Sequence, residues 1–196
     1  MGIITKKPAP LQHSQDEYIS FNGKIILTSE ESDTYTKAIS FINKQPIVGF
    51  DTETRPSFKK GISNKVSLIQ FATNRHAILF RLIKHKIPAE LIQIFENRNI
   101  IKAGVGINQD IKRLQELEPF IPQSFIEIQT LVKKTNLEVL SLKKLCEQLF
   151  QKKLSKRQQL SNWESVILTD AQVKYAATDA WVSYLIYIKL MDEYQP

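Results

Sequence analysis

Residues 47–58 read IVGFDTETRPSF, an apolar, strand-like run that ends in two carboxylates, Asp51 and Glu53, with one residue between them. Strand side chains alternate faces, so these two acids point the same way. Side by side they repel, and burying them is costly without a cation or a shared proton. Two further acids occupy comparable places. Asp110 lies in the first turn of the helix that follows IIKAGVG. Asp179 lies on a long apolar helix, four residues after Tyr175 and therefore on its face, with no basic residue three or four positions away. Singly, each has a structural alternative. The helix dipole favours an acid where Asp110 sits, Arg55 can pair with the strand-end acids, and Tyr175 with Asp179 can be a buried hydrogen-bonded pair. Together, four carboxylates at element ends form a set that one sheet can converge. Such a pocket requires divalent cations, and hard oxygen-only ligands favour Mg²⁺ or Mn²⁺.

The elements that must position these acids follow from local pattern. YISFNGKIILT predicts a hairpin about Asn22-Gly23. Thr28 and Glu31 have capping-box spacing before a helix that Pro46 closes. The strands PIVGFDTE, VSLIQFA and HAILF, joined by short links, predict an antiparallel meander. The pattern then alternates: helix PAELIQIFENR, strand NIIKAGVG, helix NQDIKRLQELE, strand SFIEIQT and helix SLKKLCEQLF. A basic, irregular stretch, QKKLSKRQQLSNWESVIL, leads to the final helix, which opens with a Thr169–Gln172 capping box. The expected fold class is α/β: a mixed five- or six-stranded sheet, antiparallel meander first and parallel strands after, with helices on both faces. Residues 1–17 read as a loose arm and residues 18–196 as one domain.

With 196 residues and 42% hydrophobic content, the chain suits one domain with a sizeable core. No apolar run approaches the ~20 residues of a membrane span, so no membrane partner is expected. The N-terminus shows no apolar signal core. The single cysteine, Cys146, excludes an internal disulfide, and a reducing cytoplasm is the default compartment. The net charge of +7 suits a polyanion such as nucleic acid. A basic protein thus gathers its acids at one place.

FDTE, GVGINQD and YAATDA, in this order, resemble the three motifs of the DEDD superfamily of 3′–5′ exonucleases. The resemblance covers about residues 47–191. It is strongest to Werner-type exonuclease domains, through KVSLIQFA, IKAGVG and SNW followed by LTDAQVKYAATDA. Ribonuclease D and the proofreading domains of family A polymerases are more distant. The resemblance implies an RNase H-like fold and phosphodiester hydrolysis with two divalent ions, Mg²⁺ or Mn²⁺. It implies that Asp51 bridges both ions, that Glu53 and Asp179 help hold one, and that Asp110 holds the other. Tyr175 would orient the attacking water. Tyrosine four before the last aspartate marks the tyrosine subclass; the histidine subclass has its residue five before, where this chain has Lys174.

Such an enzyme grips the backbone and stacks bases without reading base edges. Arg55, Lys59 and Lys60 follow the acidic strand, and Lys152, Lys153, Lys156 and Arg157 precede the last helix; both sets are candidates for phosphate contact. Phe58 and Trp163 are candidates for stacking, with a core anchor the alternative for Trp163. Thr52 and Asn108, inside the matching motifs, complete the substrate candidates with Gln70, which lies on VSLIQFA beside the acidic strand as a supporting hydrogen-bonder. The expected substrate is DNA with a single-stranded or recessed 3′ end. RNA trimming is the alternative, and a catalytically silent nucleic-acid-binding module is the third reading. Ribonuclease D-like chains carry extra C-terminal helical domains, whereas this chain stops soon after its last helix, which tilts the expectation to DNA. Nothing in the chain reads as a helicase, so unwinding would fall to a partner.

Overall fold

The structure, a computed structural model, describes residues 17–59, 61, 64–138 and 141–193. Among these residues six strands build one sheet: β1 (Lys24–Thr28), β2 (Ile47–Thr54), β3 (Val66–Ala72), β4 (His76–Arg81), β5 (Ile101–Gly104) and β6 (Phe125–Glu127). Their spatial order is β1-β4-β3-β2-β5-β6. β2, β3 and β4 pair antiparallel, as the short links require. β5 lies parallel to both β2 and β6. Among the described residues, six α-helices cover the faces: α1 (Tyr35–Ile42), α2 (Ala89–Glu96), α3 (Asn108–Gln115), α4 (Ile128–Val132), α5 (Leu142–Phe150) and α6 (Asp170–Glu193). One core joins the sheet to α4, α5 and α6; the other joins it to α1, α2 and α3. A central strand with both faces covered is buried at every position, as β3 is. No described helix is long and apolar enough to cross a membrane.

Three local expectations are corrected. Asn22-Gly23 makes no hairpin: β1 pairs parallel with β4. Gly23 serves close approach instead, because a Cβ there would stand 2.4 Å from the Arg75 carbonyl oxygen and 2.5 Å from the Phe21 ring. The Thr28–Glu31 box opens no helix, since α1 begins at Tyr35 after Thr34. In its place, Thr34 donates its hydroxyl to that of Thr28 (2.9 Å). SFIEIQT is a strand for only three residues and then turns helical, with Glu127 capping α4 by accepting from the Gln129 N–H. The Thr169–Gln172 box does form: the Gln172 amide oxygen accepts from the Thr169 N–H (3.0 Å), and the Thr169 hydroxyl accepts from the Gln172 N–H (3.2 Å). It fixes where α6 starts, and hence the height of Tyr175 and Asp179. The expected arm lies almost wholly outside the described residues.

Candidate active site

Two glycines decide where the acids meet. At Gly49, in the middle of β2, a Cβ would stand 1.9 Å from the Ala180 carbonyl oxygen and 2.6 Å from the Tyr184 nitrogen. Helix α6 therefore lies backbone to backbone on β2, and Asp179 is the neighbour of the contact residue. Gly49 and Asp51 are two apart, so they share the face that α6 covers. At Gly104, where β5 ends, a Cβ would stand 2.4 Å from both the Phe50 carbonyl oxygen and the Ile107 side chain. This draws the start of α3, and with it Asp110, against β2.

The outcome is a cluster at the end of β2. Asp51, Glu53 and Asp179 each offer a carboxylate oxygen, and these atoms lie within 4.8 Å of one another. Thr52, between the two strand acids, is buried; its N–H donates to Asp51 (2.9 Å) and its hydroxyl to Asp110 (2.6 Å). Asp179 reaches the cluster from α6, and Asp110 reaches it from α3 through the Thr52 hydroxyl. Glu127 adds a fifth acid nearby. It accepts from the Gly106 N–H (2.9 Å), which steadies the turn into α3.

The charges are poorly compensated by the protein itself. Burial holds the Asp51 carboxyl well above the usual carboxylate range, and the neighbouring Asp110 and Asp179 charges push it further, against the pull of the Thr52 N–H. Burial does the same to Glu53, followed by the charges of Asp51, Asp179 and Asp110. Asp179 rises to about 7 through burial, opposed by a hydrogen bond from Tyr175. Burial raises Asp110 as well, opposed by the Thr52 hydroxyl and by Arg113, which favour its charge. Tyr175 is driven up by burial and then by Asp179 and Glu53, so its phenol stays protonated at neutral pH. The donor set is hard oxygen throughout, close enough for a single small ion to touch three of the four acids, which fits Mg²⁺ or Mn²⁺.

The family model for 3′-5′ exonucleases matches residues 26–195. The chain belongs to the 3′-5′ exonuclease family. It is 34% identical over 182 residues to the bifunctional 3′-5′ exonuclease/ATP-dependent helicase WRN of Mus musculus, covering 88% of this chain and 13% of that protein. It is 30% identical over 194 residues to a 3′-5′ exonuclease of Arabidopsis thaliana, covering 88% and 65%. The chain thus spans less than two thirds of the length of these relatives. Among solved structures, the EXO domain of Aedes aegypti Nibbler superposes with a TM-score of 0.77 at 24% identity, over 90% of this chain and 94% of that one. Escherichia coli RNase D, an exoribonuclease involved in structured RNA processing, gives 0.76 at 23%, over 88% and 45%. At these identities the likeness establishes the fold, which is RNase H-like.

Within this exonuclease fold, the substrate candidates separate. Phe58 is 85% exposed in the loop after β2, and Lys59 beside it is exposed too. Arg55 is tied to Glu164 by an ion pair of 3.1 Å that links the loop after β2 to the segment before α6. Asn108 is exposed at the start of α3. Arg157 and Lys156 line a cavity of about 720 Å³ whose wall includes Tyr175 and Asp179. Lys60 lies outside the described residues. Three candidates are corrected. Trp163 is fully buried, its ring 6.0 Å from that of Tyr175, so it anchors the tyrosine and offers no face to a base. Gln70 is fully buried directly across from Asp51, so it touches no substrate; neither end of its amide has a hydrogen-bond partner. Thr52 is buried and committed to Asp110. Sequence reasoning missed Glu164, Glu127 and Gly49. Only Gly49 carried a signal: glycine inside a strand marks a close approach.

Proposed function

We propose that this chain is a metal-dependent 3′–5′ exonuclease that shortens DNA from a single-stranded or recessed 3′ end. The observation that carries the reading is the meeting of Asp51, Glu53 and Asp179 in one ion-sized space, with Asp110 brought to it by Thr52. Asp51 would touch two Mg²⁺ or Mn²⁺ ions, Glu53 and Asp179 would hold one of them, and Asp110 the other. Two such ions, when bound, supply positive charge at both the entering and the leaving oxygen of the phosphodiester.

The chain's own residues set the geometry. Tyr175 keeps its proton, so its hydroxyl orients the attacking water and is not the group that deprotonates it. Trp163 holds the Tyr175 ring from behind. Lys156 and Arg157, in the cavity beside Tyr175, suit backbone phosphates, and exposed Phe58 suits stacking on a base. Grips of these two kinds are indifferent to base sequence. The choice of DNA rests on the resemblance to Werner-type domains.

The test compares matched DNA and RNA oligonucleotides with Mg²⁺ and with Mn²⁺. Wild-type protein is expected to shorten DNA from the 3′ end, and the Asp51→Asn protein to leave it intact. Equal rates for the two proteins would remove this site from the chemistry, and faster cleavage of RNA would reassign the substrate.

A further inference from the structure

Between the ion pair of Glu164 and the start of α6 the chain displays two apolar side chains to solvent. Val166 is 91% exposed and Ile167 82%. The displayed tip is firmly held. Trp163 before it and Leu168 after it are both buried. Arg81, at the end of β4, donates to the Ser165 carbonyl oxygen (2.6 Å) and to that of Val166 (2.7 Å). Arg55 holds Glu164. Four anchors on six residues present β-branched side chains that contribute nothing to the core.

The sheet register places the tip. Glu53 pairs with Leu68, and Leu68 pairs with Arg81, so the three stand in one row across β2, β3 and β4. At ~4.8 Å per strand, Arg81 lies about 10 Å from the acidic strand. The tip it holds is thus at the same end of the sheet as the carboxylates, a few nucleotides' distance away. Beside it, Arg81, Lys84, His85, Ser29, Ser67 and Glu164 line a hollow of about 450 Å³, and the one acid among them, Glu164, is already paired with Arg55. An apolar tip next to a hollow that holds Arg81 and Lys84, and whose acid is matched by Arg55, fits a partner with flat apolar faces and a flanking row of negative charge. That is the end of a nucleic-acid duplex: bases to the tip, phosphates to the hollow.

We propose that Val166 and Ile167 form a strand-splitting tip, which stacks on the terminal base pairs of a recessed 3′ end and frees the strand that enters the carboxylate site. This deepens the exonuclease reading and rests on it. A residue pair acting here affects only substrates that must be unpaired.

The experiment substitutes both residues, Val166→Ser with Ile167→Ser, in the full chain. Both positions are exposed, so folding is retained. Hydrolysis is followed on a single strand and on a hairpin of the same 3′ sequence with a recessed end. The expected result is a single-strand rate within about twofold of wild type and a hairpin rate lower by roughly tenfold, the scale of one lost base–apolar stack. A second readout needs no hydrolysis. A 2-aminopurine near the 3′ end of the hairpin, bound to the Asp51→Asn protein, is expected to brighten as it unstacks, and to stay dim when the tip is also replaced. Equal losses on both substrates, no loss on either, or an unchanged 2-aminopurine signal would overturn the proposal. The fluorescence arm decides it even if the wild-type protein hydrolyses neither substrate, so failure of the exonuclease reading is recognised separately.

Discussion

Among its described residues the molecule buries charge at two contrasting sites and gives the two very different surroundings. Lys102, on β5, is completely buried, yet its ammonium donates to the carbonyl oxygens of Ile94 (3.1 Å) and Asn97 (2.8 Å) and sits 5.0 Å from the centre of the Phe125 ring. It closes the last turn of α2, whose final carbonyls have no helical partner. The ammonium has hydrogen-bond acceptors within the fold, although burial still lowers its pKa to about 8. Two strand residues on from the β5–β2 pairing, four carboxylates share the Thr52 N–H, the Thr52 hydroxyl, the Tyr175 hydroxyl and the Asp110 N–H, with Arg113 acting on Asp110 alone. Buried charge that the fold satisfies is structural. Buried charge that the fold concentrates and leaves under-compensated is there for a ligand.

The largest expected effect would break this contrast outright. Asp51→Asn keeps the acceptor for the Thr52 N–H but removes one negative charge. Activity is expected to fall to the level of the metal-free protein. At the same time the metal-free protein at pH 8 should gain stability of about 1 kcal/mol or more, with each kcal/mol worth roughly 2–4 °C in a domain of this size. Thermal unfolding with and without Mn²⁺ reads both effects: Mn²⁺ should raise the wild-type midpoint and leave the variant's nearly still. A variant that loses stability without metal would show that the cluster is as self-sufficient as Lys102.

Tyr175→Phe comes next. It removes the hydroxyl proposed to orient the water and leaves every carboxylate in place. Turnover is expected to fall by roughly 10²–10⁴, the range for lost acid–base assistance, while Mn²⁺ binding measured by calorimetry persists. Loss of both together would make Tyr175 a structural member of the site.

Gly49→Ala tests the packing that creates the site. The added methyl meets the Ala180 carbonyl oxygen and the Tyr184 nitrogen, which are backbone atoms and cannot swing aside. Overpacking of this kind costs about 1–3 kcal/mol. Displacing Asp179 by even ~1 Å costs on the order of 10²-fold in rate. Urea unfolding and steady-state kinetics should both move; a change in stability alone would mean that α6 shifts without carrying Asp179.

Much of this site was legible in the chain because the chemistry dictates residue types at fixed spacing. Asp51 and Glu53 need one residue between them to share a strand face, and Tyr175 and Asp179 need three to share a helical one. The meander and the alternating helices followed from periodicity. Other features depend on partners far away in sequence. Arg55 reads as a free phosphate ligand until Glu164 is seen beside it. Trp163 reads equally as base stacker or anchor, and only its burial against Tyr175 decides. Asn22-Gly23 carries a strong turn signal, but the parallel pairing of β1 with β4 overrides it. Gln70 reads as a supporting hydrogen-bonder beside the acidic strand, and only the fold shows it fully buried across from Asp51 with both ends of its amide unpartnered.

The smallest expected effect is the pH dependence of stability, and it separates the two charge sites by sign. Asp179 is raised in the folded state from 3.8 to about 7. Across that window the folded protein binds more protons than the unfolded chain, so the metal-free protein loses stability as pH rises from about 4 to 7. Lys102 is lowered by burial from 10.5 to about 8. Here the unfolded chain binds more protons, so stability rises with pH between about 8 and 10.5. Lys102→Met should abolish only the upper limb. It also leaves the carbonyls of Ile94 and Asn97 unpaired, at a cost of about 1–3 kcal/mol at pH 7, and it should leave nuclease activity intact. Saturating Mn²⁺ should act only on the lower limb, because the ion binds the deprotonated carboxylates and reverses the slope there. The difference between wild type and Lys102→Met cancels the contributions of Tyr35, Tyr175, Tyr184, Tyr187 and Cys146, all of which burial raises. A Lys102→Met protein that kept its upper limb, or whose activity moved with it, would show that the two buried charges are one coupled system.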